Sequence, residues 1–255
     1  MLLADLTGKV VLVTGSSTGI GAAGARAFGA HGCRVAVHYN ASRAQAEAVA
    51  AGIRERGGEA IVVAGDVTTA GTPKAIVDAV VAAFGRLDVL VNNAGGLVSR
   101  TKVAQYTDEY LDAILSLNVK QVAAFVREAV AVMRRQGNGC IINIGSSAAR
   151  HGGGSGSAIY AATKGFISSA TRGWAKELAG DGIRVNAVSP GVIMTPFHAR
   201  FTTAEALETS RSAIPLKRIG SAEECAGAML FLASEAMSGF ITGQSIEVNG
   251  GQIMA

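Results

Sequence analysis

The chain has 255 residues, of which 49% are hydrophobic and 16% charged, whereas an average soluble domain carries about 25% charged residues. Its formal net charge is +4, but the basic residues are scattered, so the sequence does not indicate a nucleic-acid-binding protein. No apolar run approaches the roughly 18 residues that span a membrane, and the composition is too hydrophobic for long disordered segments.

Three cysteines, Cys33, Cys140 and Cys225, lie far apart and form no CxxC pattern, which argues against a disulfide framework and a zinc site. The four histidines show no paired-ligand spacing, so we expect no metal. The first residues lack the basic and apolar regions of a signal peptide. These features predict a cytoplasmic protein in a reducing environment, with no membrane or nucleic-acid partner.

Short apolar runs alternate with helix-forming segments along the whole chain. The predicted strands are residues 9–14, 34–39, 60–64, 89–92, 140–145, 184–189 and 245–248. The predicted helices are residues 19–31, 43–56, 73–84, 107–135, 157–178 and 221–233. Continuous apolar strands are typical of a parallel sheet that is covered on both faces. The alternation predicts an α/β fold, a Rossmann-type doubly wound sheet of about seven parallel strands flanked by helices.

No linker or repeat divides the sequence, so we expect a single domain over residues 1–255. Its cofactor half spans about 1–145, and its catalytic and substrate half about 146–255. Residues 196–212 break the alternation, with two phenylalanines among many polar residues. This segment is predicted to be a lid or substrate loop.

A glycine-rich loop, TGSSTGIG at residues 14–21, joins the first predicted strand to the first predicted helix. Glycines let backbone N–H groups approach a phosphate closely, and the positive end of the helix dipole points at the same place. The alternative is a tight turn that binds nothing. The strand-loop-helix context favours a dinucleotide site made by Gly15, Ser17, Thr18, Gly19, Ile20 and Gly21.

The end of the second predicted strand bears on the choice of dinucleotide. An acidic side chain about 20 residues after the loop would hydrogen-bond the ribose 2′-hydroxyl of NAD. Residues 38–43 read HYNASR and contain no acid, whereas Arg43 suits a 2′-phosphate unless it is only a solvated helix start. We therefore predict NADP(H) over NAD(H), with binding residues Tyr39, Asn40, Ser42 and Arg43.

Tyr160 and Lys164 lie four residues apart in a predicted helix, so their side chains share one face. A tyrosine with its ordinary pKa of about 10 is a poor acid–base catalyst at neutral pH, but a nearby ammonium lowers that pKa. Ser146 and Ser147 follow the fifth strand, where a hydroxyl is able to polarise a carbonyl. Asn118 lies inside the long predicted helix, where asparagine has a poor propensity, and it either faces solvent, bonds a water or kinks the helix.

Taken in order, these motifs resemble those of the short-chain dehydrogenase/reductase family, and most closely its 3-oxoacyl-(acyl-carrier-protein) reductases. The resemblance covers nearly the whole chain. It rests on TGSSTGIG at 14–21, DV at 66–67, NNAG at 92–95, Asn118, INIGSS at 142–147, YAATK at 160–164, RVNAVSPG at 184–191, Thr195, and the tail from Thr242 to Gly251.

The resemblance implies a role for each matched residue. Tyr160 transfers the proton on the substrate oxygen, Lys164 bonds the nicotinamide ribose, and Asn118 holds a water in a proton relay. Spacing from Tyr160 points to Ser147 as the serine that positions the substrate, whereas spacing from the strand end points to Ser146. We favour Ser146, because a loop tolerates an inserted residue. The implied cofactor contacts are Asp66, Val67, Asn92, Ala94, Gly95, Pro190, Gly191, Ile193 and Thr195.

The sequence thus predicts an oxidoreductase that moves a hydride between NADP(H) and a small carbonyl or secondary alcohol substrate. The alternative is a non-catalytic NADP(H)-binding sensor or scaffold on the same fold. The resemblance also implies a homotetramer, which would explain the low surface charge. The candidate interfaces are the helices over 107–135 and 157–178 and the C-terminal strand.

Overall fold

The computed structural model describes residues 3–254, except for the side chains of residues 198–200. Seven strands form one sheet in the order β3-β2-β1-β4-β5-β6-β7, and every neighbouring pair is parallel. The strands are β1 Val10–Val13, β2 Arg34–Tyr39, β3 Glu59–Ala64, β4 Val89–Asn92, β5 Gly139–Ile144, β6 Ile183–Pro190 and β7 Ser245–Val248. The predicted fold class is confirmed.

Helices connect successive strands and cover both faces of the sheet. They are α1 Gly19–Ala30, α2 Arg43–Arg54, α3 Thr72–Phe84, α4 Asp108–Leu115, α5 Gln121–Gln136, α6 Ala148–His151, α7 Ala158–Leu178, α8 Pro196–Phe201, α9 Ala204–Ala213, α10 Ala222–Ala233 and α11 Glu235–Ser238. One apolar core lies between the sheet and α1, α2 and α10, and a second lies between the sheet and α3, α5 and α7. The central strands are buried on both sides, as their continuous apolar sequences predicted.

The long helix predicted over 107–135 is interrupted. It consists of α4, a π-helical turn over Ser116–Lys120, and α5. Thr107 caps α4 by accepting a hydrogen bond from the Tyr110 N–H. The π turn contains Asn118 at its centre, where the buried side chain bonds the Ile114 carbonyl one turn earlier. The helix is broken because this side chain competes for backbone groups.

The segment predicted as a lid contains two short helices, α8 and α9, rather than an irregular loop. Thr203 caps α9 by accepting a hydrogen bond from the Ala206 N–H. None of the described helices is long and apolar enough to cross a membrane. Within residues 3–254, no His, Cys, Asp or Glu cluster offers a metal three ligands, and the three cysteines are buried thiols.

Candidate active site

A cavity of about 930 Å³ opens at the carboxyl edge of the sheet. It lies where β1 neighbours β4, the point at which the strand order reverses and at which such sheets bind ligands. Its walls come from the glycine loop, the ends of β4, β5 and β6, the start of α7, and the helices α8 and α9. Most of the predicted site residues therefore meet in one place.

The glycine loop forms a narrow turn between β1 and α1. Gly15 has a φ of +62° and Gly19 a φ of +55°, a conformation that side chains other than glycine rarely adopt. A Cβ atom at Gly21 would lie 2.4 Å from Asn93 Nδ2 and 2.5 Å from the Gly15 carbonyl oxygen. Gly21 is therefore needed for close packing beneath the loop, while Gly15, Thr18, Gly19 and Ile20 line the cavity.

Three side chains hold this loop in place. Ser16 Oγ donates to the Val13 carbonyl at 2.7 Å and accepts from the His38 N–H at 2.9 Å. Asn93 Nδ2 donates to the carbonyls of Thr14 and Gly15, at 2.8 and 3.0 Å. His38 Nδ1 accepts the Gly15 N–H at 2.9 Å, and its Nε2 lies 2.9 Å from the Gly65 carbonyl. Since Nδ1 is an acceptor, Nε2 carries the proton and His38 is neutral.

Burial lowers the pKa of His38, which stabilises this neutral form. The loop shape is thus set by side chains outside the glycine motif. Sequence reasoning did not assign a role to His38 or Asn93. The only signals were a histidine in an otherwise apolar strand and a second asparagine after β4.

The loop fits the diphosphate of a dinucleotide. Thr18 precedes α1 without a side-chain cap, so the amides of the first helical turn have no side-chain acceptor, and they face the cavity at Gly19 and Ile20. A Cβ at Gly15 would approach Ala94 Cα to 3.1 Å, so glycine is also required for the close approach of β4.

The residues predicted around the adenosine end lie at the ends of β2 and β3, outside the cavity lining. Asp66 accepts hydrogen bonds from the Thr68 N–H at 2.9 Å and the Thr68 hydroxyl at 2.7 Å. Those bonds, with a further one from Asn40, lower the pKa of Asp66. Arg43 begins α2 as an exposed side chain that forms no ion pair with the described acids, and Val67 is buried.

Tyr160 and Lys164 lie on one face of α7, as their spacing predicted. Lys164 Nζ is 5.7 Å from the centre of the Tyr160 ring and donates to the Ile144 carbonyl at 2.7 Å. The Ser146 hydroxyl accepts from the Ala148 N–H at 3.2 Å, and Ser146 is the side chain that interacts with the Tyr160 hydroxyl. Ser147 lines the same cavity, but it is buried and its N–H donates to the Pro190 carbonyl.

Burial is the main cause of the pKa shifts of this pair. Burial raises the pKa of Tyr160 to about 12, and Ser146 rather than Lys164 is the neighbour that opposes this shift. Burial also lowers the pKa of Lys164 to about 8. Both groups are thereby brought closer to their neutral forms.

Asn118 lies beside Lys164 and shapes the loop after β4. Its Nδ2 donates to the Gly96 carbonyl at 2.9 Å, and its Oδ1 accepts the Gly96 N–H at 3.0 Å. A Cβ at Gly95 would lie 2.9 Å from Asn118 Oδ1 and 3.6 Å from Lys164 Nζ. Gly95 therefore lets the cleft wall pass between the two side chains.

Asn92 does not line the cavity as expected. It is buried below the cleft, and its Nδ2 donates to Asn143 Oδ1 at 2.9 Å, which links β4 to β5. Asn93 and Gly95 line the cavity instead, while the Ala94 N–H donates to Thr14 Oγ1 at 3.0 Å. The alternation of side chains along a strand explains why the neighbouring asparagines differ.

The segment after β6 forms the opposite wall of the cavity. Pro190, Gly191, Ile193 and Thr195 all line it, as the resemblance implied. Gly191 packs against Asn249, where a Cβ would come within 2.7 Å of the Asn249 Cβ. Phe197 of α8 covers Tyr160, with 6.1 Å between the ring centres. The segment predicted to be a lid thus contacts Tyr160 directly.

The chain is similar to known proteins over nearly its whole length. A family model described as enoyl-(acyl carrier protein) reductase matches residues 15–252. The chain is 40% identical over 249 residues to a 3-oxoacyl-(acyl-carrier-protein) reductase of Synechocystis sp., covering 98% of both chains.

Solved structures share the whole fold. An NADH-dependent reductase, A1-R′, complexed with NAD has a TM-score of 0.89 at 36% identity, covering 100% of both chains. A short-chain dehydrogenase from Burkholderia cenocepacia in complex with NADP has a TM-score of 0.89 at 35% identity, covering 97% of this chain and 99% of that one. The chain belongs to the short-chain dehydrogenase/reductase family and is an NAD(P)-dependent enzyme of that family acting on alcohol or carbonyl groups.

Proposed function

We propose that this protein transfers a hydride reversibly between NADP(H) and a carbonyl or secondary alcohol carbon, with Tyr160 as the acid–base residue. The observation that carries the proposal is the meeting of Tyr160, Ser146 and Lys164 in one cavity beside the glycine loop. The nicotinamide supplies the hydride chemistry when bound, and the protein supplies orientation and the proton.

The neutral Tyr160 hydroxyl donates its proton to the substrate oxygen during reduction and recovers it during oxidation. Ser146 interacts with the Tyr160 hydroxyl and lines the cavity, so its own hydroxyl is placed to hold the same oxygen. The Lys164 ammonium stabilises the phenolate that remains and bonds the nicotinamide ribose. Asn118 fixes Gly96 and holds the water of the proton relay.

Tyr160→Phe tests this mechanism, because it removes one hydroxyl and leaves the ring packed under Phe197. We expect turnover to fall by about a thousandfold, measured as absorbance at 340 nm with a panel of carbonyl substrates. NADPH affinity should change little. Tyr106→Phe, outside the cavity, is the matched control. Normal turnover in Tyr160→Phe would overturn the mechanism, and cofactor binding without turnover of any substrate would favour the sensor or scaffold alternative.

The choice between the two serines has its own test. Ser146→Ala should lower kcat by roughly a hundredfold, whereas Ser147→Ala should leave kcat within a few-fold of the wild-type value. The proposed difference rests on Ser146, and not Ser147, being the serine whose side chain interacts with Tyr160. The reverse pattern would assign the role to Ser147.

The proposed preference for NADP(H) rests on Arg43 and on the lack of an acid in residues 38–43. An unpaired guanidinium at the start of α2 is suited to a 2′-phosphate. Arg43→Gln should raise the KM for NADPH by about tenfold and leave that for NADH unchanged, while Arg56→Gln, two residues past the end of the same helix, should change neither. A tenfold preference of the wild-type enzyme for NADH would contradict this proposal.

We also propose a homotetramer, with α4–α5, α7 and β7 as interfaces. Phe166 on α7 is 38% exposed and contacts Trp174 edge to face, which leaves an aromatic patch on this helix surface. A single monomer peak in light scattering would contradict the tetramer without affecting the catalytic proposal.

A further inference from the structure

The walls of the cavity are unbalanced in charge. Arg100 and Lys164 contribute cationic side chains and His151 a third basic group, whereas no described aspartate or glutamate lines the cavity. Lys164 is already engaged by Tyr160 and the Ile144 carbonyl. Arg100 is therefore the cation that the catalytic machinery leaves unexplained.

Arg100 lies on the substrate side of the cavity. Its Nε donates to the Phe201 carbonyl at the end of α8, at 2.9 Å, and its Nη1 donates to the Ser155 carbonyl at 3.1 Å. It makes no bond to the glycine loop. Its position near α8 and residues 153–157 separates it from the site that fits the cofactor diphosphate.

The Arg100 guanidinium has N–H groups left over for a ligand. Of its five N–H groups, two are used by the carbonyls of Phe201 and Ser155, and no described acid pairs with it. Arg150, which is close in sequence to the cavity-lining residue His151, differs from Arg100 in its position and in having an acidic neighbour. It lies outside the cavity lining and faces Glu247, with 3.8 Å between Nε and Oε1.

The backbone before Arg100 is strained. The Ser99 N–H donates to the Leu97 carbonyl at 2.7 Å, which closes a three-residue turn on Val98. Val98 has a φ of +60°, which a β-branched residue rarely adopts. The Thr101 N–H then donates to the Gly156 carbonyl at 2.9 Å and fixes the far side of Arg100. Strain of this kind persists where it holds a side chain in a functional position.

We propose that Arg100 recognises the substrate, and that the substrate carries an anionic oxygen group, a carboxylate or a phosphate, besides its carbonyl or alcohol. The remaining N–H groups of a guanidinium match both anions, and the absence of lining acids favours a negative charge. This inference rests on the reductase function proposed above and adds the substrate class.

The test compares two pairs of probes, and in each pair one member carries an anionic group that the other lacks. We use 5-oxohexanoate with its uncharged amide, and a keto phosphate with the corresponding free keto alcohol, and we measure kcat/KM at low ionic strength. The wild-type enzyme should prefer at least one anionic probe by about tenfold over its neutral partner, and the pair that shows this identifies the anion.

Arg100→Gln should reduce this ratio to about one by weakening the anionic probe while the neutral probe keeps its kcat/KM. Arg100→Lys should retain part of the ratio, and the control Arg150→Gln should retain all of it. A wild-type ratio of one would overturn the inference. So would an equal loss with both probes in Arg100→Gln, which would show that Arg100 only ties α8 to residues 153–157.

Failure of the proposed function has a different signature, namely no turnover of any probe, charged or neutral. In that case the inference is judged by calorimetric titration of the same probes into the enzyme saturated with NADP⁺. Charge-selective binding that Arg100→Gln abolishes would support it, and equal or absent binding of both members of each pair would overturn it.

Discussion

The glycine loop and the lid lie on the same cavity but are held very differently. The loop over residues 15–21 is tied to β1, β2 and β4 by Ser16, His38 and Asn93, and it has no room for a Cβ at Gly21. The lid over residues 196–213 has α9 with no buried residue, and it contacts the site through Phe197 and the Arg100 bond to Phe201.

This difference corresponds to two separate tasks, the binding of a cofactor and the admission of a substrate. A cofactor that is common to many reactions needs a preformed binding site, because binding energy is lost if the loop must first be ordered. We call the glycine loop and the three side chains that hold it the cradle. A lid with few buried contacts opens at low free-energy cost, as a substrate gate requires. We therefore expect changes in the cradle to affect stability and cofactor binding together, and changes in the lid to affect substrate handling alone.

The largest effect should come from Gly21→Ala. Alanine normally stabilises a helix relative to glycine by about 1 kcal/mol. Here the added Cβ would meet Asn93 Nδ2 at 2.4 Å and the Gly15 carbonyl at 2.5 Å, so the loop must shift. We expect the free energy of unfolding to fall by about 2–3 kcal/mol and NADPH affinity to fall at least tenfold, measured by denaturant titration and fluorescence.

Gly52→Ala is the matched control. Gly52 lies in α2 with no atom within 4 Å of a built Cβ, so the same substitution should stabilise the protein by about 0.5–1 kcal/mol. Equal effects at the two glycines would show that the cradle is not packed as tightly as the structure indicates.

His38→Leu should have the next largest effect. It leaves the Gly15 N–H and the Gly65 carbonyl without their side-chain partner, at a cost of about 2–3 kcal/mol in the free energy of unfolding. Since Gly15 belongs to the cradle, NADPH affinity should fall as well. Loss of stability with unchanged cofactor affinity would mean that His38 supports the sheet but not the loop.

The pH dependence of stability gives a second measurement on His38. Burial lowers the folded-state pKa below the ordinary 6.5, so the unfolded chain binds more protons just below pH 6.5. The stabilising contribution is present above pH 6.5 and is lost as the pH falls, by up to about 1.4 kcal/mol per pH unit. The loss of unfolding free energy at acid pH should be smaller in His38→Leu and retained in His151→Leu, a substitution of a residue that lines the cavity.

The glycine loop and the lid also show which features of the fold and the site could be predicted from the sequence. The strands, the glycine loop and the Tyr160–Lys164 face were predictable because they depend on local periodicity and fixed spacing. The roles of His38 and Asn93 were not, because each acts on a loop more than 20 residues away in the chain. The assignment of Asn92 to the cleft failed for a related reason, since one residue of register decides which asparagine is buried.

The lid was recognised only as an interruption of the pattern, since α8 and α9 are short and α9 has no buried residue to give a hydrophobic periodicity. From the sequence alone, Arg150 is as good a candidate as any other basic residue to contact a polar group of the substrate. Its neighbour Glu247 comes from the far end of the chain, so no local pattern indicates that the two side chains face each other. Arg100 could be singled out only once the cavity walls were known.

The smallest effect should come from Phe197→Leu in the lid. This change removes the aromatic contact with Tyr160 but keeps an apolar side chain over the cavity. An aromatic pair contributes roughly 1 kcal/mol to the closed position of the lid, so we expect the substrate KM to rise about fivefold. The unfolding free energy should fall by no more than about 1 kcal/mol, and NADPH affinity should not change. Phe240→Leu, at a fully exposed position outside the cavity, is the control. If Phe197→Leu instead lowered cofactor affinity as much as Gly21→Ala, the lid and the cradle would form one cooperative unit, and the division between them would not hold.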